Sequence, residues 1–591
     1  ALQLSLSGVS IKDDHDQLIL HDVSFEMHKA EILGIAGISG NGQRELAEAI
    51  YGARKLQSGI LSANEEDISS TDIAHRIRLG MRMVTEDPIR DNVVPMFSIL
   101  ENMALVGLDP IYRHGDMDWQ AMRSQLQTHS EVKTLRVPQA ERIAGTLSGG
   151  NLQRMTFARA VISRPRLLIA SYPSRGLDIA TVHAVHKTLF RLKKQGVGTI
   201  LISEDISELF TMCDRILVLS SHTAFGPYCV DACTPNEIGK IKERTHMNKA
   251  QKKPLQLQDS LAVRILICVL FPLIAFAGLL LSQGKSPLVA YQTIITSIFG
   301  SAYGFGEVIV RASYLILTGL AASIPARVGL ANAGGEGQMA IAALGTAVAG
   351  STVLANLPGV IGIPLMLLVG MICGALYAGV GVFLKQKLAM NEILTTILMN
   401  YVATYLISAM LFGRLRDPNG WNYPQTVEIA PQLRFHTFFG TRMNAGIFVA
   451  IAMAGLTWYI IYHTRVGFAV RTIGGNQMAA RYAGIQVRKI QTWVFLFAGA
   501  LAGLAGAVMV VGVEGRMRIS AGETMGFMGF LAAGMAGNNP LLLILSALLI
   551  GGLTVAGNGM EINTGLPAAT MQILIMLVLL TIMTVGGKRK A

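Results

Sequence analysis

The spacing of apolar and polar residues changes character part-way along this chain. Over residues 1–236 apolar runs are short and broken by charged positions, the texture of a soluble α/β domain. There, Ile32-Leu33-Gly34-Ile35-Ala36 reads as a buried strand, and the segment from Gln43 to Tyr51 has helical periodicity. A polar, lysine-rich stretch at 237–258 reads as a linker. Over 259–591 long runs rich in Gly, Ala, Leu and Met are separated by short polar loops. Several reach the roughly 20 residues a helix needs to cross a bilayer. The pattern predicts about ten transmembrane helices, near 262–282, 313–331, 335–354, 359–384, 392–413, 445–463, 491–513, 525–538, 540–558 and 567–586. The expected architecture is thus an α/β domain followed by an all-α polytopic membrane domain.

Composition agrees with that division. The chain is 51% hydrophobic and 15% charged, too apolar for an ordinary soluble protein of 591 residues. Its net charge of +12 reads as basic loops holding membrane topology rather than as a nucleic-acid surface. With the N-terminal domain in the cytoplasm, ten crossings place the basic stretches 385–387, 464–490 and 587–590 inside and the loop 414–443 outside. Five cysteines form neither a disulfide framework nor a zinc pattern and read as structural. No cleavable signal peptide is visible. The first residue is Ala1 rather than Met, which leaves room for sequence upstream.

GISGNGQREL (37–46) lies between the strand and the helix, where backbone N–H groups and a helix N-terminus cradle phosphate. In the pattern G-x-x-x-x-G-K-[ST], Gly37 and Gly42 fit, and Ser39, Gly40 and Asn41 fill the turn. Gln43 stands in place of the lysine and Arg44 in place of the magnesium-binding hydroxyl. Four further strings accompany the loop. TLSGGNLQRMTFARAV (146–161) contains Leu147, Ser148, Gly149, Gly150, Asn151 and Gln153, and RPRLLIASYPSRGLD (164–178) ends at Asp178. MVTEDP (83–88) contains Glu86, and TILISEDISELFTMCDRILVL (199–219) contains Glu204.

In order and spacing the five strings resemble the phosphate loop, Q-loop, signature, Walker B strand with D-loop, and switch of an ATP-binding cassette (ABC) domain. The resemblance puts Ser171 and Tyr172 at the two acidic positions of the Walker B strand, Glu86 at the Q-loop glutamine and Glu204 at the switch histidine. Phosphoryl transfer relies on lysine, metal and placed charge. Gln43, Arg44, Ser171, Tyr172 and Glu204 therefore predict a cassette whose own site does not hydrolyse ATP, while its signature is intact. The resemblance implies head-to-tail pairing, in which Ser148, Gly149 and Gly150 complete an ATP and Mg2+ site on a complete cassette supplied in trans. It is nearest the second cassette of the tandem ATPases of simple-sugar and nucleoside importers. A pseudo-ATPase that holds nucleotide only structurally is the other reading.

Three membrane stretches carry polar chemistry. ANAGGEGQMA (331–340) places Glu336 and Gln338 in a Gly-rich break, as a pathway element or a structural helix break. Glu392, Thr396 and Asn400 recur at i, i+4 and i+8, lining a conduit or joining helices by hydrogen bonds. The segment 467–489, with Arg471, Met478, Arg481 and Tyr482, reads as an amphipathic coupling element or a surface-lying helix. Together with FLAAGMAGNNPLL, these segments resemble bacterial permeases of the branched-chain amino acid and simple-sugar type, nearest the nucleoside branch that depends on a basic membrane lipoprotein. The resemblance implies an inner-membrane importer of a small polar solute, with the cassette and C-terminus cytoplasmic. Its implied partners are a second permease subunit, an extracytoplasmic substrate-binding lipoprotein and the lipid bilayer. A purine nucleoside is the expected solute, a pentose or other simple sugar the alternative, and a non-transporting scaffold the alternative of another class.

Overall fold

The computed structural model describes residues 2–38, 40–108, 112–113, 116–234, 261–567 and 569–587. Ser39, the linker at 237–258 and the terminal Lys588, Arg589 and Lys590 lie outside the described residues. The chain divides into two compact units, Ala1–Lys253 with His463–Val487, and Pro254–Tyr462 with Arg488–Ala591. The segment 463–487, embedded in sequence between two apolar helices, thus folds as part of the N-terminal unit.

That unit is built on a six-stranded sheet in the order Thr223–Cys229, Arg215–Ser220, Ile32–Gly37, Gly198–Ile202, Leu167–Ser171 and Met81–Val84. All neighbours are parallel except the Thr223–Cys229 edge. Three central strands, Ile32–Gly37, Leu167–Ser171 and Gly198–Ile202, are buried at every position, which explains their unbroken apolar sequence. Their carboxyl ends carry the phosphate loop, Ser171-Tyr172 and Ser203-Glu204, where ligand sites of parallel sheets gather. A four-stranded antiparallel sheet, Leu18–His28, Leu2–Lys12, Ser58–Ala63 and Glu66–Asp67, covers one side.

In the second unit, six described helices are long and apolar enough to cross a membrane: Ala302–Ala326, Gly359–Leu388, Glu392–Phe412, Gly446–His463, Val487–Glu514 and Leu542–Thr564. The helix Leu261–Ser282, 22 residues long at the place of the first predicted span, bends by 119° into Pro287–Phe299, and the two count as a seventh span when taken together. Counted by length and composition over the described residues, this is fewer than the ten spans expected. Gly335–Ser351 has 17 residues because the chain before Gly335 is non-helical, and Met525–Met535 has 11. The last predicted span is an 18-residue apolar helix, Thr570–Gly587. Hydropathy registers apolar residues whether or not the backbone is continuous, so runs interrupted by turns looked like full spans. Where helices cross tightly, glycines make the contact. A Cβ on Gly374 would meet the Gly499 carbonyl at 2.3 Å, and one on Gly503 would meet the Gly370 carbonyl at 2.1 Å. This is small-residue packing of the kind that joins membrane helices.

Candidate functional site

The loop between Gly37 and Gln43 is held by its own atoms. Gly40 and Gly42 take φ of 97° and 98°, conformations that favour glycine. Gln43 is buried, and its Nε2 donates to the Ile38 carbonyl at 2.9 Å. A Cβ on Gly37 would meet that nitrogen at 2.2 Å, so the Gln43 amide lies folded against the loop. Arg44 Nε donates to Glu48 at 2.7 Å, and Arg44 also approaches Asp14 at 3.7 Å. Glu48 is buried and further engaged by Arg54 at 2.7 Å. Its carboxylate thus receives two guanidinium groups, one of them from the position where a magnesium-binding hydroxyl was sought.

Across the loop lies a cleft of about 610 Å³, whose lining includes Gly40, Arg44, Glu86, Gly149, Tyr172 and Arg175. Arg175 Nη1 donates to Glu86 at 2.8 Å and its guanidinium lies over the Tyr172 ring at 5.7 Å. Tyr172 has φ of 48°, uncommon for a bulky residue. Its N–H donates to the Ile202 carbonyl at 2.9 Å, and its own carbonyl accepts from Gln153 Nε2 at 3.0 Å. Burial, with the Glu86 and Glu204 carboxylates nearby, pushes the Tyr172 phenol well above its ordinary range. Ser171 is buried at the strand end and Glu204 is exposed.

Glu208, one turn beyond Glu204, was not singled out in the sequence. It is buried and accepts from Ser203 and Ser174 hydroxyls at 2.6 Å each and sits 2.8 Å from His186 Nε2. Burial works against its ionisation, but these three hydrogen bonds outweigh it and hold the carboxyl below its usual range. Glu208 thereby ties the switch strand to the segment after Tyr172 and to helix Ile179–Lys194. Asp178 caps that helix, accepting from Thr181 N–H and Oγ1 at 2.9 Å each.

Ser148 is the N-cap of helix Gly149–Ile162, is exposed, and makes no side-chain capping bond. Gly149 has nothing within 4 Å of where a Cβ would stand. Asn151 accepts from Arg154 at 2.6 Å, Leu147 is buried, and Gln153 points inward to Tyr172. Ser148 and Gly149 are therefore exposed at the helix start, Gly150 lies against the Gly176 carbonyl, and Leu147 and Gln153 anchor the turn from beneath.

The segment 463–487 packs on the unit beside these elements. Asn476 caps helix Gln477–Tyr482 with Oδ1, accepting from Met478 and Ala479 N–H groups at 3.0 and 3.1 Å. Its Nδ2 donates to the carbonyls of Ile89, Arg90 and Val93, within 3.1 Å. Those carbonyls lie immediately after Glu86. Arg471 pairs with Glu101 at 2.7 Å and lies over Phe97 and Phe468. Tyr482 stacks on Tyr51, accepts its hydroxyl on the backbone carbonyl at 2.9 Å, and reaches Glu48 with its own hydroxyl at 3.3 Å. Met478 packs at the edge of the same core, and Arg481 is exposed. An asparagine before a short apolar helix is a cap signal; its second role, as a donor to three carbonyls, has no local signature.

In the membrane unit the two predicted polar stretches meet. Asn400 Oδ1 accepts from Gly337 N–H and its Nδ2 donates to the Ala333 carbonyl, both at 2.9 Å. Thr396 Oγ1 accepts from Ala333 N–H at 3.3 Å. Buried Gln338 exchanges two amide hydrogen bonds with Asn332, at 3.0 and 3.1 Å. Glu336 stands apart from them and accepts from Thr524 N–H at 3.2 Å. Glu392 pairs with Lys385 at 2.8 Å near a helix end. Asn400 and Thr396 satisfy the backbone of a broken helix, as does Asn332, which donates to the Ala321 carbonyl and accepts from Gly334 N–H, both at 3.1 Å, and is held by Gln338.

Residues 304–583 match the branched-chain amino acid transport system / permease component family, and residues 20–174 match the ABC transporter family. The glucose ABC transporter permease protein TsgB13 of Haloferax volcanii is 34% identical over 318 residues, 52% of this chain and 82% of that protein. The guanosine ABC transporter permease protein NupP of Bacillus subtilis is 34% identical over 325 residues, 53% of this chain and 91% of that protein. The nucleoside import ATP-binding protein NupA of Lactococcus lactis is 31% identical over 248 residues, 42% of this chain and 49% of that protein. The chain belongs to the ABC transporters. It carries an ABC ATPase domain and a multi-pass permease in one polypeptide.

For an ABC transporter the cleft can be tested against its nucleotide. The loop between Gly37 and Gln43 offers backbone donors at a helix start, which suits phosphate. The donor set does not suit magnesium: Arg44 is a cation paired with Glu48, Ser171 and Tyr172 carry no negative charge, and Glu86 is paired with Arg175.

Proposed function

We propose that this transporter is an importer subunit in a bacterial inner membrane, with its cassette and C-terminus cytoplasmic. The permease provides the path for a small polar solute, and the cassette contributes the signature half of one ATP site. The observation that carries the reading is the contrast between two ends of the cleft. Ser148 and Gly149 are exposed and uncapped. Gln43 and Arg44 are both turned onto protein partners, Ile38 and Glu48. A complete cassette supplied in trans would bring the lysine and metal ligands that this chain lacks, and ATP with Mg2+ would bind between the two.

In that assembly the segment 463–487 transmits closure, because Asn476 grips the chain just after Glu86 and Tyr482 reaches Glu48. A second permease subunit and an extracytoplasmic binding protein complete the importer. The solute is a nucleoside, a reading supported by similarity to a guanosine permease and a nucleoside import ATP-binding protein. A sugar is the second reading, supported by equal identity to a glucose permease. The test is uptake of radiolabelled guanosine and ribose by proteoliposomes holding the chain, a complete cassette and the binding protein. Guanosine uptake without ribose uptake supports the nucleoside reading, the reverse supports the sugar, and uptake of neither with ATP present favours a non-transporting scaffold.

A further inference from the structure

Besides Thr396 and Asn400, which are committed to the broken helix, the membrane unit holds polar groups without a hydrogen bond among the described residues. Glu307, Arg311 and Tyr314 recur at spacings of four and three on helix Ala302–Ala326 and so share one face. Two other segments approach that face. Arg442, from the loop before helix Gly446–His463, pairs with Glu307 at 3.4 Å. Glu514 ends the π-helical turn Val510–Glu514, a local widening often found at functional sites. The Tyr314 phenol lies in the combined field of Glu307, Arg311, Arg442 and Glu514.

Two of these groups make no hydrogen bond among the described residues. Tyr314 is 7% exposed, and its hydroxyl is buried with no hydrogen bond among the described residues. Arg311, partly exposed on the same face, makes no hydrogen bond or ion pair among the described residues. A buried hydroxyl and a guanidinium inside a spanning helix are costly to leave unmatched, and ionisable groups there mark solute paths.

We propose that Tyr314 and Arg311, framed by Glu307, Arg442 and Glu514, form a contact site for the transported solute, which is a molecule bearing several hydroxyl groups. Pairing argues for that class. Each carboxylate already holds a guanidinium, Glu307 that of Arg442 at 3.4 Å and Glu514 that of Arg518 at 3.3 Å, so neither is left to hold a cation. Donors and acceptors are both present, as a polyhydroxylated solute requires. The proposal rests on the importer reading and deepens it by naming where the permease handles its cargo.

The test uses the full chain with its complete cassette and binding protein in proteoliposomes. Uptake of radiolabelled guanosine, 2′-deoxyguanosine, ribose and 2-deoxyribose is measured for wild type, Tyr314→Phe and Arg311→Lys. Removing a buried unpartnered hydroxyl does not lower the melting temperature of Tyr314→Phe. One lost hydrogen bond to solute lowers uptake of the preferred solute by about 3- to 10-fold. It also narrows the preference for that solute over its deoxy analogue when the missing hydroxyl is the one contacted. Arg311→Lys keeps the charge and loses the planar fork, giving a loss of similar size. Unchanged uptake in both variants overturns the site and leaves Tyr314 a hydroxyl bound to water. Absence of wild-type uptake for all four solutes overturns the importer reading instead.

Discussion

The Tyr482 hydroxyl stands 3.3 Å from the Glu48 carboxylate, two residues separated by most of the chain. Glu48 also receives Arg44 at 2.7 Å, so one buried carboxylate joins the 463–487 segment to the first turn after the phosphate loop. Burial and the Glu48 charge push the Tyr482 phenol far above its ordinary range, so it stays a neutral donor at any physiological pH. Tyr482→Phe is expected to leave basal ATP turnover of the assembled transporter within about 2-fold and to reduce solute stimulation of it, because only one long hydrogen bond to the Glu48 carboxylate is removed. Comparing turnover with and without solute-loaded binding protein checks this. Full stimulation in the variant would remove the hydroxyl from the coupling path.

Arg471 and Glu101 form a half-buried pair, 18% and 22% exposed, with the guanidinium stacked on two phenylalanines. Arg471→Ala loses stacking as well as charge, and leaves Glu101 short of a partner. A destabilisation of about 1–3 kcal/mol is expected, read by denaturant unfolding of the full chain. Arg471→Lys should recover only part of it, since the planar stack is lost.

Tyr51 supplies a pH dependence. Burial pushes its phenol from the ordinary 10.0 up to about 12, against the opposing fields of Arg82 and Arg159. Below pH 10 the phenol is neutral in folded and unfolded chains, and its contribution is fully present. Between 10 and about 12 only the unfolded chain ionises, so stability falls as pH rises through that window. Tyr51→Phe keeps the stack on Tyr482 and removes the titration, so its melting temperature should decline less steeply across the window. Parallel slopes would refute the assignment.

Much of the cassette was legible because its signals are local. A buried strand, a Gly-rich turn and a helix start specify a phosphate loop within ten residues, and the motif order gave the rest. Tertiary chemistry was not legible. Nothing near Glu208 announces that Ser174, Ser203 and His186 converge on it, and nothing near Asn476 announces three carbonyls from 89–93. In the membrane region, hydropathy located the helices but overcounted spans, since it does not register where Gly335–Ser351 begins. The i, i+4, i+8 stripe marked a helix face and left open whether that face lines a path; Thr396 and Asn400 turn out to hold Ala333 and Gly337.

Asn400→Leu follows from that finding. It strips partners from Gly337 N–H and the Ala333 carbonyl inside a membrane unit. A loss of about 2–4 kcal/mol is expected, since each orphaned group costs about 1–3 kcal/mol. Thermal unfolding in detergent reads it, and a neutral outcome would show that the broken helix holds without the clamp.

Ser148→Arg should abolish solute-stimulated turnover of the assembled transporter, because it places a bulky cation on the exposed cap proposed to meet the partner's nucleotide. Gln43→Ala should change turnover by less than about 3-fold, since the Gln43 amide donates to the Ile38 carbonyl of its own loop. Retained activity in the first, or total loss in the second, would reverse the division of labour between the two ends of the cleft.

The most direct measurement is ATP hydrolysis by this chain alone in lipid nanodiscs, repeated after adding a complete cassette. No turnover alone and solute-stimulated turnover with the partner is the predicted result. Turnover by the chain alone would contradict it, and would mean that Gln43, Arg44, Ser171 and Tyr172 leave a working metal site after all.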